Sequence, residues 1–245
     1  MSRAATLFFA ATAYAIFFAT FLYLICFVGN LPFAPITVDR GPDAAVGPAL
    51  LIDVALIAMF GLQHSGMARQ GFKRAWTKTI PKTVERSFYV LAASAVLIVL
   101  FIGWRPIEGT VWEVGGLAGG ILTLLFALGW LVVLLSTFLI NHFELFGLQQ
   151  AWFHMRGRDA APPQFRQPFF YRIVRHPLYS GFLLAFWATP VMSYGHLLLA
   201  VGMTVYILIA IQYEERDLVH MFGREYEDYR GRVGMLIPGV GRRSS

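Results

Sequence analysis

Charged residues and cysteine are both scarce in this sequence. Only 14% of its 245 residues are Asp, Glu, Lys or Arg, whereas soluble domains carry about 25%, so the composition argues against a soluble enzyme. Disorder is excluded as well, because it requires low hydrophobicity and high charge, and 57% of this chain is hydrophobic. The single cysteine, Cys26, excludes an internal disulfide and any cysteine-based zinc cluster.

Long apolar runs are the dominant feature. They cover residues 4–28, 49–62, 84–102, 115–140, 178–192 and 197–211. Because about 20 apolar residues span the hydrocarbon core of a bilayer, the predicted fold is all-α: a polytopic integral membrane helical bundle with five to six transmembrane helices. Only residues 193–196 separate the last two runs, which predicts a tight helical hairpin. The second run is short and contains Asp53, so a five-span arrangement in which this run is re-entrant stays open. The fifth run is marginal for a hydrocarbon core of about 30 Å.

The charge distribution predicts the orientation in the membrane. The formal net charge is +6, but the basic residues lie between the apolar runs rather than on a soluble surface, so nucleic acid is not an expected partner. All of the Lys and Arg residues except Arg40 and Arg105 fall on one side of the predicted spans. The positive-inside rule therefore places both termini and the active site in the cytoplasm, in a bacterial inner membrane.

The turn before the fifth run has the composition of an anion site. Proline fits the first turn of a helix and keeps the preceding residue out of the helical region, so His176 is expected near the N-cap and Pro177 inside the helix. A helix N-terminus favours an anion, and Arg175 adds positive charge. The simpler alternative is a turn at the membrane interface with a snorkelling Arg175.

An acidic pair follows the sixth run. Because the fifth and sixth helices are antiparallel, Glu214 and Glu215 are predicted to lie close to His176 at one membrane surface. Tyr226 and Tyr229 come shortly afterwards. The alternative for this C-terminal segment is a solvated amphipathic helix with Glu/Arg pairs.

Together these residues resemble a known family. The series Arg-His-Pro-x-Tyr-x-Gly, a hairpin, Glu-Glu-x-x-Leu, Phe-Gly and Tyr-x-x-Tyr is similar to the C-terminal region of the isoprenylcysteine carboxyl methyltransferase superfamily. The resemblance implies an S-adenosylmethionine site inside the hairpin, closed by the C-terminal segment. The cofactor-binding residues that it implies are Arg175, His176, Pro177, Tyr179, Gly181, Glu214, Glu215, Tyr226 and Tyr229.

Three further motifs narrow the resemblance. They are Gln63–His64–Ser65, Glu85–Arg86–Ser87 and the segment Asn-His-Phe-Glu-Leu-Phe-Gly-Leu at 141–148. The set resembles the methanethiol S-methyltransferase family, in the nurim-like branch of the superfamily, although that family typically carries Asp at the position of Glu144. The resemblance implies methyl transfer from S-adenosylmethionine to the sulfur of methanethiol, which gives dimethyl sulfide. The catalytic candidates are His64, Asn141, His142 and Glu144.

These residue types suit that reaction. A sulfonium and a thiolate combine into neutral products, so a dry site favours the transfer. A small thiol is mostly protonated near neutral pH, and a histidine can accept its proton. The residues leave open whether His64 or His142 lies near the thiol, with His176 near the cofactor. Helical spacing places Asn141 and Glu144 on one face and His142 elsewhere. No pair of histidines has metal-ligand spacing, so no metal is expected.

The predicted organisation is one membrane methyltransferase domain over residues 1–245. Its transmembrane bundle and substrate half would cover 1–174, and its hairpin and cofactor-binding segment would cover 175–245. The expected partners are a small thiol and the lipid bilayer, and the oligomeric state stays open. Two alternatives remain: methylation of a lipid or isoprenoid acceptor, and a non-catalytic nurim-like membrane protein.

Overall fold

The computed structural model describes residues 2–158 and 164–242. Within these ranges the chain forms ten α-helices, one 3-10 helix and two short strands. The elements before the first strand are α1 (Arg3–Val28), α2 (Val46–Ala68), α3 (Gln70–Trp76) and α4 (Lys82–Gly103). They are followed by β1 (Thr110–Glu113), α5 (Gly116–Ile140), α6 (His142–Leu145), α7 (Leu148–Met155) and the 3-10 helix Phe169–Arg172. The last elements are α8 (Pro177–Trp187), β2 (Val191–Ser193), α9 (Tyr194–Phe222) and α10 (Arg224–Arg232).

Five helices are long and apolar enough to cross a membrane: α1, α2, α4, α5 and α9. Each has at least 22 residues, which at a rise of about 1.5 Å per residue covers a hydrocarbon core of about 30 Å. Many large apolar side chains on these helices are exposed, among them Leu117, Leu124 and Phe138. The chain is an integral membrane protein, and the prediction of five to six spans is confirmed.

Of the two short apolar runs, the second forms a full-length helix and the fifth does not. The second apolar run belongs to α2, which has 23 residues, so its helix is long enough to cross and a re-entrant second run is not needed. Asp53 in this helix is buried, and its Oδ1 accepts a hydrogen bond of 2.9 Å from the backbone N–H of Arg105.

The fifth apolar run, by contrast, forms a helix of only 11 residues, α8. This helix ends at Trp187, and the chain then runs to β2, which pairs with β1. The expected turn at 193–196 is therefore wrong, because Tyr194 already begins α9. Thr189–Pro190 lies where a helix cannot easily continue, since the residue before a proline disfavours the helical region.

The predicted hairpin of α8 and α9 is confirmed. Near the end of α8 the Trp187 indole N–H donates to Thr204 Oγ1 on α9 at 3.0 Å. At the opposite end, His176 Nε2 lies 3.2 Å from Glu215 Oε1. The two helices are thus connected at both ends by side-chain hydrogen bonds.

The chain divides into two compact units. The first comprises the described residues of 1–110, 142–161 and 193–199, and the second those of 111–141, 162–192 and 200–245. In the second unit α5 packs with α8. Two glycines allow that close contact: a Cβ atom on Gly181 would lie 2.7 Å from the Gly129 carbonyl oxygen.

Candidate active site

The Arg175 side chain bonds to Glu215 and to the C-terminal segment within the second unit. Its Nε donates to Glu215 Oε1 at 2.8 Å, and both side chains are almost fully buried, with 0% and 3% of their surface exposed. Its terminal nitrogens donate to three backbone carbonyls, those of Arg230, Val233 and Gly241. Four of the five N–H donors of a guanidinium are therefore used inside the protein.

The same turn holds the C-terminal segment by its backbone. Val174 and Gly234 form a parallel bridge, and the Arg175 N–H donates to the Gly234 carbonyl at 2.8 Å. The His176 N–H donates to the Met235 carbonyl at 3.1 Å. The residues after α10 are thus fastened across the N-terminus of α8.

His176 is the N-cap of α8, and Pro177 occupies its first turn, as predicted. The His176 imidazole lies between the two acids: Nε2 is 3.2 Å from Glu215 Oε1, and Nδ1 is 3.8 Å from Glu214 Oε2. The predicted proximity of the acidic pair to His176 is confirmed. The two acids differ in access, because 44% of the Glu214 side chain is exposed, whereas Glu215 is held by Arg175, His176 and Arg230.

The tyrosines of α10 complete this cluster. The Tyr229 hydroxyl donates to the Tyr171 carbonyl at 2.5 Å. The Tyr226 hydroxyl is buried and has no hydrogen-bond partner among the described residues. Burial raises the pKa of Tyr226, and the charges of Glu215 and Glu214 raise it further. The hydroxyl therefore stays protonated and able to donate.

This arrangement separates two kinds of residue. The first kind forms its hydrogen bonds within the protein, and its members are Arg175, Glu215 and Tyr229. Gly181 belongs with them, because it packs against the backbone of α5. Glu214, His176 and Tyr226 keep an accessible carboxylate, an imidazole and an unpartnered hydroxyl at the same place. Tyr179 adds a ring whose centroid lies 5.7 Å from that of His176. This second set can accept hydrogen bonds from a polar ligand and stack on its ring.

The histidine and arginine motifs contact each other in the first unit. His64 Nε2 and the Tyr89 hydroxyl form a hydrogen bond of 2.8 Å, and the Phe60 ring stacks on His64. The guanidinium carbon of Arg86 lies 4.9 Å from the centroid of the Tyr89 ring. The Gln-His-Ser and Glu-Arg-Ser motifs therefore contact each other through Tyr89.

The third motif, at 141–148, packs against the same helix, α4. Arg86 Nε donates to the Leu145 carbonyl at 2.6 Å. Gly147 has a φ of 88° and approaches α4 so closely that a Cβ atom there would lie 2.6 Å from Ser87 Oγ. Glycine meets both demands, since it adopts positive φ without strain and has no side chain to clash.

His142 is buried in this unit. Its Nε2 forms a hydrogen bond of 2.8 Å with the Tyr14 hydroxyl, and its ring contacts Phe146, which stacks on Phe17 at 4.0 Å. Burial lowers the pKa of His142. The imidazole is consequently neutral near pH 7, which is the form that can accept a proton.

Asn141 and Glu144 do not share the face of one helix. The helix α5 ends at Ile140, and Asn141 has extended backbone with φ 178° before α6 begins at His142. The expectation of a continuous helix through this motif is therefore wrong. Asn141 is half-buried and Glu144 is exposed, and the chain passes from the second unit to the first between 141 and 142.

Two contacting residues were not predicted. Tyr14 and Tyr89 each pair with a candidate histidine, but each lies in an apolar run where a tyrosine is an ordinary interfacial residue. The position of Tyr89 in the turn after the Glu-Arg-Ser motif was the one available signal. Within residues 2–158 and 164–242, no group of three or more His, Cys, Asp or Glu side chains is placed to hold a metal ion.

Comparison with known proteins gives the class. The model of the phospholipid methyltransferase family matches residues 118–225, which include α5, the hairpin and Glu214 and Glu215. An integral membrane methyltransferase is the class that this match and the apolar helices define. No solved structure matched the chain.

The curated relatives define the family within that class. Methanethiol S-methyltransferase 2 of Bradyrhizobium diazoefficiens is 49% identical, over 97% of this chain and 91% of its own length. Methanethiol S-methyltransferase of Crocosphaera subtropica is 48% identical, over 100% of this chain and 96% of its own. A nurim homolog of Drosophila pseudoobscura pseudoobscura is 30% identical over 73% of each chain. The chain belongs to the methanethiol S-methyltransferase family.

Proposed function

We propose that this protein transfers the methyl group of S-adenosylmethionine to the sulfur of methanethiol, which yields dimethyl sulfide. The observation that carries the proposal is the 49% identity over 97% of the chain to a relative named for that activity. The motifs that resemble the family lie in two polar clusters, one in each unit. The Phe146 ring lies 4.9 Å from the His142 ring, and such apolar surroundings agree with a small apolar thiol as the acceptor.

The donor site is assigned to the second unit. Glu214 is the accessible carboxylate and is suited to accept hydrogen bonds from ribose hydroxyls or the amino group of the donor. Tyr226 is suited to donate with its unpartnered hydroxyl. Tyr179 and the neighbouring rings can face the sulfonium, since aromatic faces attract cations. Bound there, S-adenosylmethionine supplies an activated methyl group.

Arg175, Glu215, Pro177 and Gly181 have a different task in this proposal. They hold the hairpin and the C-terminal segment in place and do not contact the donor directly. Arg175 has four of its N–H donors engaged within the protein. Its charge is also neutralised by Glu215, so it is poorly suited to bind the donor carboxylate.

The acceptor site is assigned to the first unit. A neutral imidazole takes the S–H proton of methanethiol, and the candidates are His64 and His142. Each is oriented by a tyrosine hydroxyl at 2.8 Å. Asn141 and Glu144 flank His142 in sequence and are proposed to fix the position of this loop. The active site faces the cytoplasm of a bacterial cell and the protein lies in the inner membrane, as the basic loops indicate.

The test is production of dimethyl sulfide by cells. A host that makes no dimethyl sulfide would express the full chain, receive methanethiol and be sampled by headspace gas chromatography. We expect product from the wild type, much less from Glu214→Gln and His176→Ala, and wild-type levels from the exposed control Glu227→Gln. A well-expressed wild type without product would remove methanethiol as the acceptor, and product from a lipid or isoprenoid acceptor would then replace the proposal.

A further inference from the structure

Arg86 is a half-buried cation near the start of α4. No carboxylate in the described part of the chain forms an ion pair with it. Its contacts are the Leu145 carbonyl, at 2.6 Å from Nε, and the face of the Tyr89 ring. Arg175 in the second unit shows the contrast, since its charge is neutralised by Glu215 at 2.8 Å.

Ser87, the next residue, has a buried hydroxyl without a partner. Serine and threonine in a helix commonly donate to the carbonyl four residues earlier. Thr20 and Ser94 do so here, with Ile16 and Val90. Ser87 is completely buried, yet its Oγ has no hydrogen-bond partner among the described residues.

Both groups face the same turn. Arg86 bonds to Leu145, and Ser87 Oγ lies beside Gly147, where any side chain would displace it. His64 joins them through Tyr89, since the rings of His64 and Tyr89 are 5.1 Å apart. Near the start of α4 there are thus a guanidinium without a carboxylate partner and a hydroxyl without a hydrogen bond, both within the described part of the chain, and an imidazole that reaches them through Tyr89.

An anion is the ligand that this set lacks. A buried hydrogen-bond donor without a partner destabilises the folded protein. A guanidinium forms its strongest hydrogen bonds with an anion. A small anion would satisfy both. We propose that Arg86 and Ser87 bind the acceptor sulfur as its thiolate, an inference that rests on the proposed function.

The chemistry balances with the groups at hand. Of the two candidate bases, His64 is the one that contacts Arg86 through Tyr89, and it takes the thiol S–H proton. The remaining sulfur lone pair is stabilised by the Arg86 guanidinium and the Ser87 hydroxyl. That pair forms the new C–S bond while the bond from the methyl carbon to the donor sulfur breaks and its electrons stay on that sulfur. The thioether product is neutral, so its attraction to Arg86 disappears. The proton leaves His64 for solvent.

An interfacial arginine that only fastens the turn at Leu145 would also be needed for activity, so loss of activity alone decides nothing. The distinguishing property is thiol acidity. An opposite charge nearby lowers a pKa by about 1–3 units. Removal of Arg86 should therefore lower the methylation rate of a weakly acidic thiol more than that of a thiol that is already ionised in solution.

The experiment uses the full chain in detergent with saturating S-adenosylmethionine and compares ethanethiol with 2,2,2-trifluoroethanethiol. For Arg86→Gln we expect kcat/KM for ethanethiol to fall at least about tenfold more than for the acidic thiol, and its pH profile to shift upward by about one unit. Arg86→Lys keeps the charge and should recover part of both effects. Arg156→Gln is the matched control, since that exposed guanidinium also lies over a ring, 4.8 Å from the centroid of Trp152.

Failure of the thiolate site and failure of the methyltransferase activity give different results. Equal loss with both thiols and an unchanged pH profile would overturn the thiolate site and leave the methyltransferase intact. A wild type that methylates neither thiol nor methanethiol would overturn the proposed function itself. If Arg86→Gln does not fold, Ser87→Ala is tested with the same two thiols. We expect its kcat/KM for ethanethiol to fall about tenfold more than its kcat/KM for trifluoroethanethiol, and an equal fall for both would count against the proposal.

Discussion

Arg175 and Glu215 meet at 2.8 Å although they lie 40 positions apart in sequence. The pair joins the N-terminus of α8 to the end of α9, and Arg175 also fastens the segment after α10. Both side chains are buried, so neither charge can be hydrated if its partner is removed. The ion pair therefore connects the hairpin to the C-terminal segment, in addition to the backbone hydrogen bonds between them.

Loss of this pair should destabilise the protein. Breaking a buried ion pair by removal of one partner costs about 3–5 kcal/mol, so we expect Arg175→Gln and Glu215→Gln to lower the unfolding temperature in detergent strongly. Arg172→Gln, an exposed arginine nearby, is the control and should have little effect. Equal unfolding temperatures for all three variants and the wild type would contradict the assignment.

Glu214 should show the opposite behaviour. Its carboxylate is accessible and lies 3.8 Å from His176 Nδ1, so Glu214→Gln is expected to leave the unfolding temperature within about 1 °C. Donor binding should weaken about tenfold, the loss of one charge-assisted hydrogen bond. Binding of S-adenosylmethionine by calorimetry gives the comparison. Unchanged affinity would remove Glu214 from the donor site.

The contact between α5 and α8 should depend on two particular glycines. A Cβ atom on Gly129 would lie 2.7 Å from the Ala185 backbone nitrogen and 2.8 Å from the Gly181 carbonyl. Gly129→Ala and Gly181→Ala should each cost about 1–3 kcal/mol by overpacking. Gly120, on the same helix, has nothing within 4 Å, so Gly120→Ala should be neutral or stabilising. Thermal unfolding of the three variants decides whether the two helices touch as described.

His142 should make stability depend on pH. Burial lowers its pKa in the folded state, so the unfolded chain binds more protons in the window just below the ordinary value of about 6.5. Stability should therefore fall as pH drops through about 6.5 and remain constant in this respect above it. His142→Gln removes this contribution, and its unfolding temperature should fall less than that of the wild type between pH 7 and pH 5.5. Parallel pH curves would show that His142 is not buried as a neutral imidazole.

The two tyrosines can identify the base. Loss of a hydrogen bond that orients an imidazole costs about 1 kcal/mol, so we expect the kcat for methanethiol to fall several-fold in Tyr14→Phe if His142 is the base, and in Tyr89→Phe if His64 is. Tyr23→Phe serves as a control, because that hydroxyl donates to the Ile36 carbonyl instead. Equal rates for all three variants and the wild type would exclude tyrosine-oriented histidines from the proton transfer.

The sequence by itself determined the membrane class, the hairpin and the place of His176. Apolar runs are visible directly in the sequence. Pro177 restricts the backbone of the residue before it in any tertiary environment. The antiparallel geometry of two consecutive helices then places Glu214 and Glu215 near His176 without further information. These features are local, or follow from chain connectivity, so no distant contact was needed to predict them.

Only the tertiary structure decided how those residues divide their tasks. Glu214 and Glu215 are neighbours in sequence, but adjacent side chains on a helix point about 100° apart, and which one meets Arg175 depends on how the helices pack. The same applies to Gly181, which faces α5, and to Tyr14 and Tyr89, which reach histidines far along the chain. The break at Asn141 likewise depends on interactions that apolar periodicity does not record. Rotation about helix axes and long-range contacts, which the sequence pattern leaves undetermined, set the chemistry of the site.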